Sequence, residues 1–252
     1  MRIMENYKIM EFEGYRFIKS EKLEENGLLN LFTTADMDWF VKDETVTKKY
    51  LHTINDYFKI SSHVRTNQIH ANFIGVADDV KGEDCVMTFC DGVITKKNDK
   101  ILSTSFSDCV PVILYDPINH AQATLHSGWK GTLLKISAEG IKMMTRLYNS
   151  RPETLLSVIG PCIGFDDFEV KDDVKDLFTY KFTAYPEIIK SGKNFFNIDL
   201  VSAVRFTLVE SGLKKENITA FNLSTVSNPD LLHSYRRDKQ DFGMMRVFSK
   251  LK

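Results

Sequence analysis

Cys109 and His126 are the residues from which chemistry is most directly readable. They stand 17 positions apart, one at each end of a strand–turn–strand pattern. Val110 to Tyr115 is nearly all apolar, Asp116-Pro117-Ile118-Asn119 follows, and Ala121 to Leu125 returns. Proline presets φ while Asp and Asn bond locally, so the four-residue stretch is a turn by composition. Folded as a hairpin, the pattern brings a thiol and an imidazole together. A catalytic zinc site uses three protein ligands and keeps one position open, and zinc favours imidazole and thiolate donors. His70, 39 positions before the cysteine, completes the set as the most strand-associated of the remaining histidines. His52 and His63 lie in or beside a helix candidate, and His120 sits at the far end of the hairpin.

The stretch Gly128-Trp129-Lys130-Gly131-Thr132 directly follows the imidazole. Its glycines let backbone N–H groups converge ahead of a helix, and Lys130 adds a full charge, which suits phosphate or another anion. Tight turning alone also explains such a loop. The same residues allow a different chemistry, with Cys109 as nucleophile, His126 as its base and Asp108 or a backbone carbonyl orienting the ring, as in a cysteine hydrolase or deamidase. Asp108 otherwise caps the turn. Arg236 and Arg237 fit either a clamp on phosphate or carboxylate, or a solvated pair. Cys162, between glycines and a proline, reads as a structural turn or a pocket wall.

The elements that must position these groups follow from periodicity. Strands are expected at Tyr15 to Ile18, Leu28 to Thr33, near His70, at Ile101 to Phe106, and at Leu155 to Ile159 and Ile218 to Leu223. Val86 to Thr95 reads as a hairpin turning at Asp91-Gly92. Val46, Tyr50, Ile54, Tyr57 and Phe58 recur at helical spacing in a helix over Asp43 to Ile60. Thr132 is the expected N-cap of a helix carrying Leu134, Ala138, Ile141, Met144 and Tyr148, and Asp199 caps another that runs to Glu210. Cys85 and Cys90 read as small buried hydrophobes. No repeat or linker interrupts the chain, so residues 1–252 form one domain of mixed strands and helices, an α+β class.

Composition narrows the function. The chain has 252 residues, 43% of them hydrophobic, and 33 Lys plus Arg against 34 Asp plus Glu, a formal charge of −1. Near-neutrality argues against nucleic-acid binding and anionic membranes. No apolar stretch approaches the ~20 residues of a bilayer span. Met1 to Tyr15 lacks the apolar run of a secretory signal, so the expected location is cytoplasmic. Four cysteines in so long a chain do not suggest a disulfide framework.

Taken together, Gln68-x-His70, Asp91-Gly92-x-x-Thr95, Asp108-Cys109-x-Pro111, His126-x-Gly128-Trp129-Lys130-Gly131-Thr132, Gly160-Pro161-x-Ile163-Gly164, Glu169-Val170, Asp199-Leu200 and Ser234-Tyr235-Arg236-Arg237-Asp238 closely resemble the YfiH-like family, also called the laccase-domain or polyphenol oxidase family. The motifs occur in family order from about residue 30 onward. The resemblance implies two mixed sheets layered between helices, and zinc on the residues matching His70, Cys109 and His126. It implies a purine nucleoside phosphorylase acting on adenosine, inosine and methylthioadenosine with phosphate, and adenosine deaminase activity besides. The expected partners are therefore purine nucleosides and phosphate, with the chain a monomer or homodimer. Copper (Cu2+) and phenol oxidation are also attributed to the family, but one two-histidine, one-thiolate pocket does not supply several copper sites. The chain departs from the family pattern at Ser127 and Lys130, at Ser224-Thr225, at Thr33-Thr34-Ala35-Asp36, and where methionines separate Gly243 from Arg246.

Overall fold

Alternation along the strand Val110–Asp116 sets the layering. Val112 and Leu114 point into a core shared with the helices Ile136–Tyr148 and Leu200–Glu210. Ile113 and Tyr115 point the other way, against Ile18, Phe32, Phe106 and Val247 of a second sheet. A strand covered on both faces reads as a continuous apolar run, as this one does. The structure, a computed structural model, describes residues 6–252. The first five residues of the Met1 to Tyr15 stretch lie outside that range.

Two mixed sheets lie face to face, as expected. The larger has seven strands in the spatial order Lys8–Phe12, Tyr15–Lys19, Leu28–Thr33, Met245–Leu251, Ile101–Phe106, His63–Asn67, Asp84–Thr88. The other has six: Ile218–Ala220, Leu156–Ile159, Val110–Asp116, Ala121–Ser127, Gly92–Thr95, Ile74–Val76. A small antiparallel sheet of Glu169–Val170, Phe196–Ile198 and Ile189–Ser191 is added beside them. The helix Glu44–Phe58, capped by Asp43 and ended by Lys59 at φ 58°, covers the outer face of the larger sheet with Tyr50, Ile54 and Phe58. Among the described residues no helix is long and apolar enough to cross a membrane.

Several local expectations change. Val86 to Thr95 is not a hairpin. Asp84–Thr88 pairs parallel to His63–Asn67 in one sheet, and Gly92–Thr95 pairs with Ala121–Ser127 in the other. Asp91 sits at that crossing fully buried, its carboxylate engaged elsewhere than in a turn. Cys85 and Cys90 are half-buried: Cys85 lies on Asp84–Thr88, an edge strand with one open face, and Cys90 lies in the loop that follows it. Cys162 is buried, its N–H bonded to the Leu223 carbonyl at 3.2 Å, and burial pushes its thiol well up.

Thr132 is not an N-cap. Gly128 begins a short helix, Trp129–Leu133, and Lys135 at φ 54° separates it from Ile136–Tyr148. The Thr132 hydroxyl bonds instead to Ser127 Oγ at 2.9 Å. Met245–Leu251 inserts between Leu28–Thr33 and Ile101–Phe106, near the middle of the larger sheet.

Candidate metal centre and cavity

Hairpin register places the first two ligands. His126 pairs with Pro111, and Cys109 lies two residues before Pro111 along the same strand direction. Residues two apart share a face, and diagonal neighbours across an antiparallel pair are within side-chain reach. That face looks toward the other sheet, where Thr124 Oγ1 meets Ser249 Oγ at 2.8 Å and Ser249 donates to Gln122 at 2.8 Å. His126 continues the polar parity of Gln122 and Thr124 to the open end of the hairpin.

His70 arrives from outside any strand. His63–Asn67 ends three residues earlier, and His70 adopts φ 59°, a left-handed conformation uncommon for a non-glycine residue. The buried Asp91 carboxylate holds it there, accepting from the amides of Ile69, His70 and Ala71 at 3.1, 2.8 and 2.9 Å. The same carboxylate lies 2.9 Å from His126 Nδ1. An ionised carboxylate only accepts, so Nδ1 carries the proton and Nε2 is left to bind a ligand. Asp91 is the site residue that the sequence reading took for a turn. Metal-bound histidines ordinarily donate their second ring nitrogen to such a group.

The donor atoms of His70, Cys109 and His126 all lie within 4.8 Å of one another. Cys109 Sγ is 3.9 Å from His70 Nε2, and the two imidazoles meet edge to face with centroids 4.9 Å apart. Tetrahedral zinc with ordinary bond lengths spaces sulfur and nitrogen about 3.6 Å apart, so the donor set fits that ion. Burial opposes ionisation of Cys109, yet the charge and hydrogen bonds of His126 and His70 bring the thiol well down, towards the thiolate a metal binds. Burial likewise opposes protonation of His126, which Cys109 and Asp91 outweigh in the upward direction.

The glycine-rich loop closes on this cluster. A Cβ on Gly128 would stand 2.9 Å from Cys109 Sγ and 3.0 Å from His70 Cδ2, and one on Gly131 would stand 3.2 Å from the Ala71 carbonyl. Gly128 has φ −64°, so close approach, rather than an unusual backbone angle, demands glycine there. Lys130 is exposed, its Nζ 5.5 Å from the Trp129 ring centroid, and does not line the cavity.

That cavity, of about 1000 Å³, is walled by all three donors and by Trp129, Phe168 and Tyr235. Asp108 lines it beside Cys109. Its oxygens accept from Thr225 at 2.6 Å, Ser234 at 2.8 Å and the Arg236 amide at 2.6 Å, which ties the tail to the cluster. The paired arginines part ways. Arg236 lines the cavity but donates to the carbonyls of Asp167 and Glu169 at 3.0 and 3.1 Å. Arg237 turns inward to Asp238 and to the Thr225 and Leu232 carbonyls. The sequence offers no site role for two charged residues that line the cavity, Arg65 and Arg246.

Comparison with known proteins extends the resemblance. A family model described as multi-copper polyphenol oxidoreductase laccase matches residues 29–252. The purine nucleoside phosphorylase YlmD of Bacillus subtilis is 35% identical over 163 residues, 64% of this chain and 59% of that protein. This chain thus aligns with less than two thirds of that relative. A purine nucleoside phosphorylase of Staphylococcus epidermidis is 32% identical over 217 residues, 85% of this chain and 75% of that one. The crystal structure of the Bacillus licheniformis hypothetical protein YfiH superposes with a TM-score of 0.87 at 26% identity, covering 94% of this chain and 96% of the other.

Proposed function

We propose, because this chain belongs to the multi-copper polyphenol oxidoreductase laccase family, that it is a zinc-dependent purine nucleoside phosphorylase. It converts adenosine, inosine or methylthioadenosine with phosphate into free base and sugar 1-phosphate, and deaminates adenosine as a second activity. The observation that carries this reading is the convergence of His70, Cys109 and His126 on the wall of a cavity large enough for a nucleoside.

His70, Cys109 and His126 would hold the metal, which when bound supplies a Lewis acid able to polarise an oxygen of substrate or water. The chain does the rest. Asp91 fixes the His126 tautomer and the His70 backbone. Trp129, Phe168 and Tyr235 offer apolar and aromatic surface for a purine and keep water from it. In phosphorolysis a phosphate oxygen bonds to the anomeric carbon, the bond from that carbon to the base breaks, and the base leaves with the proton that hydrogen phosphate gives up. Asp108, the acidic neighbour of Cys109, is already an acceptor through both oxygens. Its part here is to position the Arg236 segment.

Among the described residues a single cluster of three or more His, Cys, Asp or Glu side chains could hold a metal. That supports phosphorolysis over a phenol oxidase needing several copper ions. A cysteine hydrolase built on Cys109 and His126 is favoured by the lowered thiol alone, and it requires activity that survives strong chelators.

The test incubates purified protein with each nucleoside, with and without inorganic phosphate. Phosphate-dependent release of base and sugar 1-phosphate is expected. Base release indifferent to phosphate, or none from any of the three nucleosides, overturns the reading.

A further inference from the structure

We propose that Arg65 and Arg246 form an anion subsite in the cavity, and that it takes the phosphate of the phosphorolysis reading. The identity of the anion rests on that reading, whereas the subsite rests on geometry. Arg65 pairs with Ser103 and Arg246 with Ser105, on opposite sides of the strand Ile101–Phe106. Cross-strand partners share a face, as do residues two apart, so both guanidiniums rise from the same face with one strand between them. Both line the cavity that holds the metal cluster.

Two cations share a single carboxylate here. Arg65 has Asp84, with Nε 3.0 Å from Oδ1. Among the described residues no carboxylate lies within ion-pair distance of Arg246. Its Nε donates to Ser105 Oγ at 3.3 Å, and its guanidinium lies 4.5 Å from the Trp39 ring centroid. The two terminal amino groups of Arg246 have no hydrogen-bond partner among the described residues. Burial pulls Arg246 down to about 10, the charge of Arg65 acts in the same direction, and the more distant Asp84 only partly opposes them. A half-buried cation left unmatched beside a second cation is costly unless an anion joins them. A guanidinium fork matches the oxygens of phosphate in a way a lysine does not.

The other candidates are already committed. Lys130 faces solvent over Trp129, Arg236 is spent on two carbonyls, and Arg237 on carbonyls and Asp238. Purine nucleosides carry no charge. The one anion that phosphorolysis brings to this cavity is therefore phosphate.

The experiment titrates inorganic phosphate calorimetrically into the wild-type protein and into Arg65→Gln, Arg246→Gln, Arg246→Lys and Lys130→Ala, without nucleoside. It then measures KM for phosphate and for nucleoside on the same samples. Each glutamine variant is expected to weaken phosphate binding about tenfold or more, with KM for phosphate rising in parallel and KM for nucleoside staying within about twofold. Arg246→Lys should recover part of the loss. Because Arg246 packs on Trp39, thermal melting accompanies each titration, and if Arg246→Gln does not fold then Arg65→Gln decides. Phosphate affinity unchanged in the glutamine variants, lost only in Lys130→Ala, or absent from wild type overturns the subsite. Arginine-dependent phosphate binding without nucleoside turnover sustains the subsite and removes the phosphorolysis reading. Phosphorolysis whose phosphate KM ignores both arginines does the reverse.

Discussion

The carboxylate of Asp91 lies 2.9 Å from Nδ1 of His126, with neither side chain reaching solvent to any extent. The same carboxylate accepts the amides of residues 69–71 and keeps His70 at φ 59°. One buried group thus sets the ring of one metal donor and the backbone of another. Asp91→Asn keeps the shape but reverses one hydrogen-bonding edge and removes the charge. It should weaken zinc binding by about 10- to 100-fold, measured by competition with a chromophoric chelator. Wild-type affinity in this variant would show that Asp91 orients nothing.

Gly128→Ala tests close approach rather than backbone freedom. Its φ of −64° suits alanine, but the new methyl would meet Cys109 Sγ at 2.9 Å and His70 Cδ2 at 3.0 Å. The cluster must open, so zinc affinity should fall by roughly an order of magnitude while the melting temperature drops only a few degrees. Equal zinc affinity in Gly128→Ala and wild type, by the same chelator titration, contradicts the packing account.

His63 is buried, with Nε2 against Asn55 Oδ1, and burial holds its pKa down at about 4 from an ordinary 6.5. The unfolded chain takes up this proton near pH 6.5 and the folded chain does not, so the neutral ring's contribution is present above 6.5. It is lost as the pH falls toward 4, amounting to about 3 kcal/mol. Urea unfolding of wild type and His63→Gln between pH 7 and 4.5 measures it. The variant should show the shallower pH dependence, and identical slopes would refute the assignment.

Of the adjacent arginines, only Arg237 is built into the fold through its whole fork, with contacts at 2.6 to 2.9 Å to Asp238, Thr225 and Leu232. Arg237→Lys keeps the charge and loses the fork, at a cost of about 2 kcal/mol. The chevron or urea midpoint reads this directly. An unchanged midpoint would return Arg237 to the surface pair that composition allows.

How much of this was legible in the chain depended on whether neighbours in space were neighbours along a hairpin. Cys109 and His126 were readable because a turn of Asp, Pro and Asn folds their strands back in a register that composition dictates. His70 was reachable only by elimination among histidines, since nothing local marks a left-handed residue held by a carboxylate 21 positions away. Asp91 was misread because two short strand-like runs around Asp-Gly imitate a hairpin, whereas the chain crosses there between sheets. The juxtaposition of Arg65 with Arg246 stayed hidden for a related reason. Their shared face exists only once the C-terminal strand enters the larger sheet beside Ile101–Phe106.

The central claim is that the Cys109 thiolate, with His70 and His126, holds the ion on which phosphorolysis depends. It is tested most directly by measuring zinc content and phosphate-dependent base release on the same preparations of wild type and Cys109→Ala. Wild type should carry about one zinc per chain and release base only with phosphate, and Cys109→Ala should lose both together. A Cys109→Ala protein that is folded and still turns nucleoside over with phosphate at the wild-type rate contradicts the account.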